Sequence, residues 1–339
     1  MHFREPFKIA YEEVESCPVV LVELSTENLV GLGCAAPDKE VSGETVELVS
    51  RVIKEKITTD FLNLPVTEYL AAHEKIQTAL IGFPSAQAAV EEAFLNLHCQ
   101  KYHKKMADLW GGQKRERVSG LMTICIKNLS ATLADCQKLS QQGYQTLKLK
   151  CGLDWENDTL KVNTVKKSLP TTTQLVIDIN QGYNVAQAEK FIRAVNNLSI
   201  SAIEQPVAAT DWKGLKYLHR LSRNPIVADE SVITIADAEK LLAGNYVAGV
   251  NVKLMKCGGP LNFLKIYELA KQFNKIIMIG CMYESNISIT TGLNLALACD
   301  LDFVDLDSGT ADFADDPVCG GAVFENCFLS LQGELALKK

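Results

Sequence analysis

The chain has 339 residues, of which 47% are hydrophobic and 22% charged, which is typical of a globular protein with one large α/β domain and a smaller one. Its net charge of −7, without a block of like charges, argues against nucleic acid or an anionic membrane as a partner. Eleven cysteines are scattered singly, no apolar run approaches the ~20 residues of a membrane span, and the first residues lack a signal-peptide core. We therefore expect reduced cysteines and a cytoplasmic location.

Residues 1–117 have the pattern of a separate α+β unit, called here the N-terminal unit. Apolar runs predict strands over residues 19–24 and 28–34, with glycines at the bend. Helical periodicity follows over residues 45–57, 66–80 and 86–106.

From residue 118 onwards, short apolar runs alternate with helical segments. The runs lie at residues 121–126, 146–150, 175–179, 202–204, 226–229, 249–253, 276–280 and 303–307. Eight strands with seven intervening helices predict an α/β barrel over residues 118–307 whose last helix is missing or altered. A doubly wound sheet is the competing architecture, but the count of eight and the polar strand ends favour the barrel. The tail from residue 308 has strand-like runs at 322–324 and 328–331, and we expect it to pack on the N-terminal unit.

Polar residues stand at nearly every predicted strand end, where a barrel gathers its site. Steps of 28, 26, 25 and 24 residues separate Lys150, Asp178, Glu204, Asp229 and Lys253, one βα unit each. In chain order, the polar residues are Lys148, Lys150, Asp178, Glu204, Asp229, Lys253, Glu284, Asp305 and Asp307.

Asp178, Glu204 and Asp229 fall on three neighbouring strands. Three converging carboxylates repel one another unless a cation neutralises them. No histidine lies at a strand end, so the oxygen-only set predicts Mg²⁺, or Mn²⁺, rather than Zn²⁺. The alternative is that these acids cap the following helices.

Lys150 and Lys253 lie four strands apart on an eight-strand ring and would face each other across the metal. Two such bases suit a 1,1-proton transfer, in which one removes a proton and the other returns one to the opposite face. Lys148 would add positive charge beside the substrate carboxylate. In the alternative interpretation Lys148 and Lys150 lie on a solvated edge strand, and Lys256 competes with Lys253.

Five segments together resemble the enolase superfamily, in its muconate-lactonizing-enzyme subgroup, over nearly the whole chain. The resemblance implies an α+β capping domain over a modified TIM barrel, (β/α)7β, with one Mg²⁺ on Asp178, Glu204 and Asp229 and with Lys150 and Lys253 as the acid/base pair. The segments are Lys148-Leu-Lys150, Asp178-Ile-Asn180-Gln181, Glu204-Gln-Pro206, Ala228-Asp229-Glu230-Ser231 and Asn251-Val-Lys253-Leu-Met-Lys256-Cys-Gly258-Gly259.

Residues 280–285 and Asp305-Leu-Asp307 resemble the dipeptide epimerase branch, such as the L-Ala-D/L-Glu epimerases. The resemblance implies that Asp305 and Asp307 hold the α-ammonium of a dipeptide, that Thr123, Lys148 and Glu284 also contact substrate, and that Asn180 supports the site. Two carboxylates there would be costly without a cationic guest. A helix-cap or turn role is the alternative.

The chain departs from the Ala-Glu branch in its first cap loop, residues 10–16. That loop has no arginine for a substrate carboxylate and instead carries Glu12 and Glu13. We expect these residues, with the acids of the tail (Asp312, Asp315 and Asp316), to favour a cationic side chain over Glu, unless they simply face water. Residues 41–44 match the family's second cap loop, and the late first strand predicts a trimmed cap.

The sequence thus predicts a Mg²⁺-dependent dipeptide epimerase acting on a small dipeptide, with a homo-oligomer suggested by analogy alone. The alternatives are an o-succinylbenzoate synthase, an N-acylamino acid racemase or a cycloisomerase with the same site. A non-catalytic relative that only binds a metal or a partner is a further alternative.

Overall fold

The computed structural model describes residues 1–309 and 311–338. None of the helices in these two ranges combines the length and hydrophobicity needed to cross a membrane.

The N-terminal unit consists of two antiparallel strand pairs and a set of helices. Its elements are β1 (His2–Lys8), β2 (Glu13–Ser16), β3 (Val20–Ser25), β4 (Val30–Ala35), α1 (Val46–Lys56), α2 (Thr59–Leu62), α3 (Tyr69–Ala79) and α4 (Pro84–Tyr102), followed by a 3₁₀ turn at Met106–Trp110.

The predicted hairpin and three helices of this unit are present, with ends shifted by a few residues. The apolar patterns did not indicate β1, whose residues are all exposed or only partly buried. They also assigned residues 13–16 to a loop, whereas these residues form β2 and pair with β1. Both strands lack the alternation that marks a half-buried strand, so periodicity could not find them.

Two glycines of β4 allow the long helix α4 to pack directly on the strand backbone. A Cβ at Gly33 would lie 1.8 Å from the carbonyl oxygen of Ala89, and one at Gly31 would lie 2.1 Å from that of Ala93. Only glycine permits so close an approach. Helix α4 is therefore held against the hairpin along its buried length.

The central element is an eight-stranded parallel sheet in sequential strand order. The amide of Leu121 donates to the carbonyl of Val304 at 3.0 Å and links the first strand to the last. The elements are β6 (Met122–Ile124), α5 (Leu129–Gln141), β7 (Thr146–Lys150), α6 (Trp155–Ser168), β8 (Gln174–Asp178), α7 (Val185–Val195), β9 (Ala202–Glu204), α8 (Trp212–Leu221), β10 (Ile226–Ala228), α9 (Ile235–Ala243), β11 (Gly249–Lys253), α10 (Leu254–Cys257), α11 (Pro260–Gln272), β12 (Ile276–Gly280), α12 (Asn286–Ala298) and β13 (Phe303–Asp305).

This sheet confirms the predicted barrel and excludes the doubly wound alternative, because neighbouring strands follow the chain without reversal. Its interior is filled by a small apolar cluster that includes Val176, Val227, Met278 and Phe303. Asparagine, aspartate, threonine or serine side chains cap several of the following helices, as at Asn128 and Ser285. The strand-to-helix turns at the carboxyl rim are therefore fixed.

The tail replaces the eighth helix with a β-hairpin, β14 (Val318–Glu325) and β15 (Phe328–Leu337). Strand β15 pairs with β5 (Arg117–Ser119) where the N-terminal unit joins the barrel. The preceding segment lies along β1, because the amide of Arg4 donates to the carbonyl of Asp312 and Phe3 bridges to Phe313. The tail therefore does contact the N-terminal unit, while the domain boundaries stay a prediction.

Candidate active site

The carboxyl ends of the barrel strands bring the predicted polar residues to one level. Lys150 is in register with Asp178, and Asp178 with Glu204. On the other side, β12 aligns Lys253 with Asp305 in the same way. Since all barrel strands end at one rim, these side chains share a single polar centre.

Three buried carboxylates form the floor of this centre. Ligand oxygens of Asp178, Glu204 and Asp229 lie within 4.8 Å of one another, and all three side chains are fully buried. Glu204 Oε2 and Asp229 Oδ2 accept no hydrogen bond from the described residues, although a lysine nitrogen lies 2.9 Å from each. Oxygen-only donors with unsatisfied lone pairs fit a hard divalent cation such as Mg²⁺ or Mn²⁺.

Burial alone raises the pKa of each of these carboxyls, and the neighbouring charges then move the three pKa values in different directions. At Asp178 two adjacent lysines outweigh burial and hold the pKa at about 2. At Asp229 two other lysines hold the pKa well below its usual value. At Glu204 burial and the charge of Asp178 together raise the pKa well above its usual value. Burial and mutual repulsion are therefore least compensated at Glu204, and a bound cation would relieve both.

Lys148 lies in the middle of the acids and is almost completely buried. Its Nζ donates to Glu204 Oε1 at 3.0 Å and to Asp305 Oδ2 at 2.7 Å, and lies 3.0 Å from Asp178 Oδ2. Burial lowers its pKa, but the surrounding carboxylates outweigh burial and raise the pKa well above its usual value. Three carboxylates surround this nitrogen, so the lysine provides fixed positive charge at the centre of the floor.

Lys150 and Lys253 line the same cavity from β7 and β11, four strands apart. Lys150 Nζ donates to Asp178 Oδ2 at 2.8 Å and to Asn180 Oδ1 at 3.1 Å. Lys253 Nζ lies 2.9 Å from Asp229 Oδ2. Each ammonium group is thus attached to one carboxylate of the floor and points into the shared space.

The structure distinguishes Lys253 from Lys256, the alternative candidate for the second base. Lys256 is 1% exposed and donates to the side-chain Oδ1 and the carbonyl of Asp229. It is absent from the cavity wall, which includes Lys253. Lys256 therefore holds Asp229 on the side away from the cavity, and Lys253 is the lysine of the two that lines it.

The opposite wall carries carboxylates for which the described residues provide no ion-pair partner. The amide of Thr123 donates to Asp307 Oδ2 at 2.7 Å. Within the described residues neither Asp307 nor Asp312 forms an ion pair, although both line the cavity. Burial and the charge of Asp305 raise the pKa of Asp307, and burial with both of these acids raises that of Asp312. This wall would be stabilised by a cationic guest.

Residues 131–333 match the family Enolase C-terminal domain-like, and residues 1–111 match the Mandelate racemase / muconate lactonizing enzyme N-terminal domain. The chain belongs to the enolase superfamily. The resemblance inferred from the five sequence segments is thereby confirmed, and so is the expected fold class.

Curated members of the superfamily align with almost the whole chain. The L-Ala-D/L-Glu epimerase of Clostridium acetobutylicum is 32% identical over 98% of this chain and 94% of its own length. The hydrophobic dipeptide epimerase of Enterococcus faecalis is 32% identical, with the same two shares covered. The L-Lys-D/L-Arg epimerase of Methylococcus capsulatus is 32% identical over 95% of this chain and 90% of its own length.

Solved structures of superfamily members show the same architecture. A substrate-liganded L-Ala-D/L-Glu epimerase from Bacillus subtilis superposes with a TM-score of 0.93 at 29% identity, covering 98% of this chain and 94% of that one. A dipeptide epimerase from Enterococcus faecalis, complexed with Mg and L-Leu-L-Tyr, gives 0.92 at 32% identity, covering 99% and 95%.

The enolase-superfamily cap reaches the cavity through the first cap loop, residues 10–16, and around the second, residues 41–44, but not through Glu12 or Glu13. Tyr11, Asp38 and Val41 line it. Glu13 does not line the cavity, because its carboxylate pairs with Lys8 at 2.6 Å on an exposed surface, and its contact with substrate stays a prediction. The carboxylate of Glu12 accepts a hydrogen bond from the Tyr283 hydroxyl at 2.7 Å, so it anchors the loop instead of lining the cavity.

Three other predicted acids do not line the cavity: Glu284, Asp315 and Asp316. Glu284 is 1% exposed, accepts a hydrogen bond from the amide of Met282 at 2.8 Å, and does not line the cavity. Burial raises its pKa to about 7. Asp316 accepts the amide of Asn286, and Asp315 pairs with His2, so of the three tail acids only Asp312 faces the site.

Sequence reasoning missed Glu230, which lines the cavity and is 5% exposed. Its Oε1 accepts a hydrogen bond from the side-chain amide of Asn180 at 3.2 Å. The available signal was a second acid directly after Asp229. The sequence reasoning used Glu230 only as part of the segment Ala228-Asp229-Glu230-Ser231 that carries the resemblance, and gave it no role.

Proposed function

We propose that this protein is a Mg²⁺-dependent dipeptide epimerase, an isomerase that inverts the α-carbon of the C-terminal residue of a dipeptide. One observation carries the proposal: Lys150 and Lys253 reach one cavity from opposite sides of a carboxylate cluster, and that cavity also contains unpaired acids. A carbon held between two amines can lose a proton on one face and gain one on the other.

Asp178, Glu204 and Asp229 would hold the metal, since their oxygens converge and two of these oxygens lack hydrogen bonds. When bound, the ion would offset the carboxylate charge around the lysines and stabilise the negative charge that the substrate gains on losing its α-proton. Relatives solved with Mg and a dipeptide support this assignment.

Lys150 and Lys253 would divide the proton transfer between them. In each direction one lysine accepts the α-proton into its amine and the other, protonated, delivers a proton to the opposite face. Lys148, with its raised pKa, stays charged and would attract the substrate carboxylate.

Asp307 would hold the α-ammonium of the dipeptide, since it is 8% exposed, lines the cavity and has no ion pair within the described residues. Asp305 would contribute charge, but its Oδ2 is bound to Lys148. Substrates of an o-succinylbenzoate synthase or a cycloisomerase lack a free ammonium and would leave this buried charge uncompensated.

We propose that the substrate side chains are not acidic. The cavity wall contains Asp38, Glu230 and Asp312 but no arginine among the described residues. The names of relatives span Ala-Glu, Lys-Arg and hydrophobic dipeptides, so relatedness leaves the choice open. A cationic side chain would compensate Asp312 and stays our prediction.

A cytoplasmic location and a homo-oligomeric state remain proposals. All eleven cysteines are free, which is typical of a reducing compartment. The homo-oligomer rests on analogy with relatives alone.

The test is a screen of dipeptide pools with Mg²⁺ in D₂O, read by mass spectrometry. Removal and return of the α-proton replaces it with deuterium and adds one dalton to the substrate. We expect this gain with dipeptides that carry lysine or arginine. A gain with Ala-Glu alone would overturn the side-chain prediction, and no gain in any pool would overturn the epimerase proposal.

A further inference from the structure

Lys150 and Lys253 are held in unequal ways. Lys150 donates two hydrogen bonds, one to Asp178 Oδ2 and one to the side-chain oxygen of Asn180. Lys253 contacts Asp229 Oδ2 at 2.9 Å, and no amide side chain bonds its nitrogen within the described residues. The proposed base on β7 therefore has an additional neutral partner that the base on β11 lacks.

The orientation of the Asn180 amide is fixed by its two partners. A lysine ammonium can only donate, so Asn180 must present its oxygen to Lys150. Its nitrogen then faces Glu230, and Nδ2 donates to Glu230 Oε1 at 3.2 Å. Glu230 is 5% exposed, and no described residue hydrogen-bonds its other oxygen. Glu230 thus selects the amide orientation that Lys150 requires.

The backbone around this chain of contacts is fixed by Gln205, in the loop after β9. Its Oε1 accepts the amides of Asp229 and Ser231, which flank Glu230, at 2.9 and 3.1 Å. Its carbonyl accepts the amide of Gln181, directly after Asn180. The loops that carry Asn180 and Glu230 are therefore braced against one intermediate residue.

Asn180 also has an uncommon backbone conformation, with φ of 43°. Residues other than glycine rarely adopt this left-handed region of the backbone, and asparagine is among those that tolerate it best. Such a conformation persists only where surrounding contacts determine it, and it is concentrated at functional sites. Here it places the side chain between Lys150 and Glu230.

We propose that Asn180 and Glu230 are positioning residues for Lys150, and that they act on the proton transfer at only one face of the substrate. The inference rests on the proposed epimerase function. Asn180 and Glu230 are not assigned any proton transfer of their own. They hold the Lys150 nitrogen at a fixed place beside the α-carbon, and misplacing it would slow only the transfers at that face.

The test measures α-proton exchange with D₂O separately for the two epimers of an accepted dipeptide. Lys150→Ala identifies the epimer whose proton Lys150 removes. For that epimer, we expect Glu230→Ala to lower the initial exchange rate about 10- to 100-fold, and the rate for the other epimer to change less than about threefold. Glu230→Gln keeps an acceptor oxygen for Asn180 and should restore the rate to within about threefold of wild type.

Asn180→Gly provides a second test should Glu230→Ala not fold, because glycine accepts the positive φ without strain. It should show the same one-sided loss. The matched control is Asn251→Ala, since Asn251 Nδ2 donates to Glu204 Oε1 at 2.9 Å and its side chain bonds no lysine in the described part of the chain. This control should lower both exchange rates equally. Mn²⁺ affinity, measured by electron paramagnetic resonance, should be unchanged in the Glu230 variants.

Equal loss for both epimers in Glu230→Ala, or no loss, would overturn the positioning role. So would a Glu230→Gln variant as slow as Glu230→Ala, because the charge and not the hydrogen bond would then matter. If wild-type protein exchanges neither epimer of any dipeptide, the epimerase proposal fails instead, and the two failures are distinguishable.

Discussion

The barrel floor and the cap-facing side of the cavity are built on different principles. On the floor each charged side chain meets a partner of opposite sign from a neighbouring strand, as Lys150 meets Asp178 and Lys253 meets Asp229. On the cap-facing side, contacts span the length of the chain, as where Glu12 meets Tyr283. We therefore expect the floor to carry the proposed proton transfer and the cap side to control how the cavity closes. The following experiments test this division, beginning with the largest expected effect.

Removing either of the two lysines that pair with the floor carboxylates should slow epimerisation strongly. We expect Lys150→Ala and Lys253→Ala each to lower kcat by about 10²–10⁴-fold, because positioned acid–base groups contribute that much to proton transfer. Rates are measured by proton NMR of the two epimers. Lys167→Ala, an exposed lysine at the end of α6, is the control. A loss of only a few-fold in both variants would show that the floor does not carry the proton transfer.

Asp307, on the wall opposite the metal cluster, should contribute to substrate binding. Asp307→Asn keeps an acceptor for the Thr123 amide but removes the charge, and we expect kcat/KM for a dipeptide to fall about 10- to 100-fold, as for loss of a charged hydrogen bond. Asp302→Asn is a matched control, because Asp302 also accepts a backbone amide, that of Ile277, outside the cavity. Unchanged kinetics in Asp307→Asn would refute the ammonium site.

Glu284 behind the wall should give the fold a pH dependence. Burial raises its folded pKa from 4.5 to about 7, so the folded state favours the protonated form. Its stabilising contribution is present below pH 4.5 and is lost as pH rises to about 7. The loss amounts to about 3 kcal/mol. Urea unfolding of wild type and Glu284→Gln should therefore show the variant gaining relative stability between these pH values. Parallel curves would exclude this role.

The hydrogen bond between Glu12 of the N-terminal unit and Tyr283 of the barrel should have the smallest effect. Tyr283→Phe removes the hydrogen bond to Glu12, and we expect KM to rise about threefold to fivefold with kcat unchanged, since a hydrogen bond to a charged group contributes about 1 kcal/mol or more. Tyr217→Phe is the matched control, because Tyr217 donates to Glu189 at 2.8 Å on an exposed helix. A fall in kcat instead would show that this hydrogen bond contributes to the chemical step.

Sequence reasoning succeeded where a repeat governs the structure. Strand spacing placed Lys150, Asp178, Glu204 and Asp229 on consecutive strands, because each βα unit returns the chain to the same rim. It did not find the ion pair of Glu13 with Lys8, because Lys8 lies on a strand that has no apolar alternation.

Glu12 shows the same limit at greater separation. Its partner Tyr283 is 271 residues away, and no local pattern predicts such a contact. Glu230 was overlooked because its significance depends on Asn180, two strands away, and on the direction in which an amide points. Strand and helix positions follow from periodicity, whereas individual hydrogen-bond partners require the three-dimensional structure.

The pairing of β1 with the segment around Asp312 has a consequence for the order of folding. The amide of Arg4 donates to the carbonyl of Asp312 and the amide of Ala314 to the carbonyl of His2, so these contacts close a loop that spans most of the sequence. Loop-closure entropy opposes a contact over so large a separation until other contacts have brought its two ends together. We therefore expect the cavity wall formed by β1 and the tail to close late in folding, after the barrel, whose neighbouring strands follow one another along the chain.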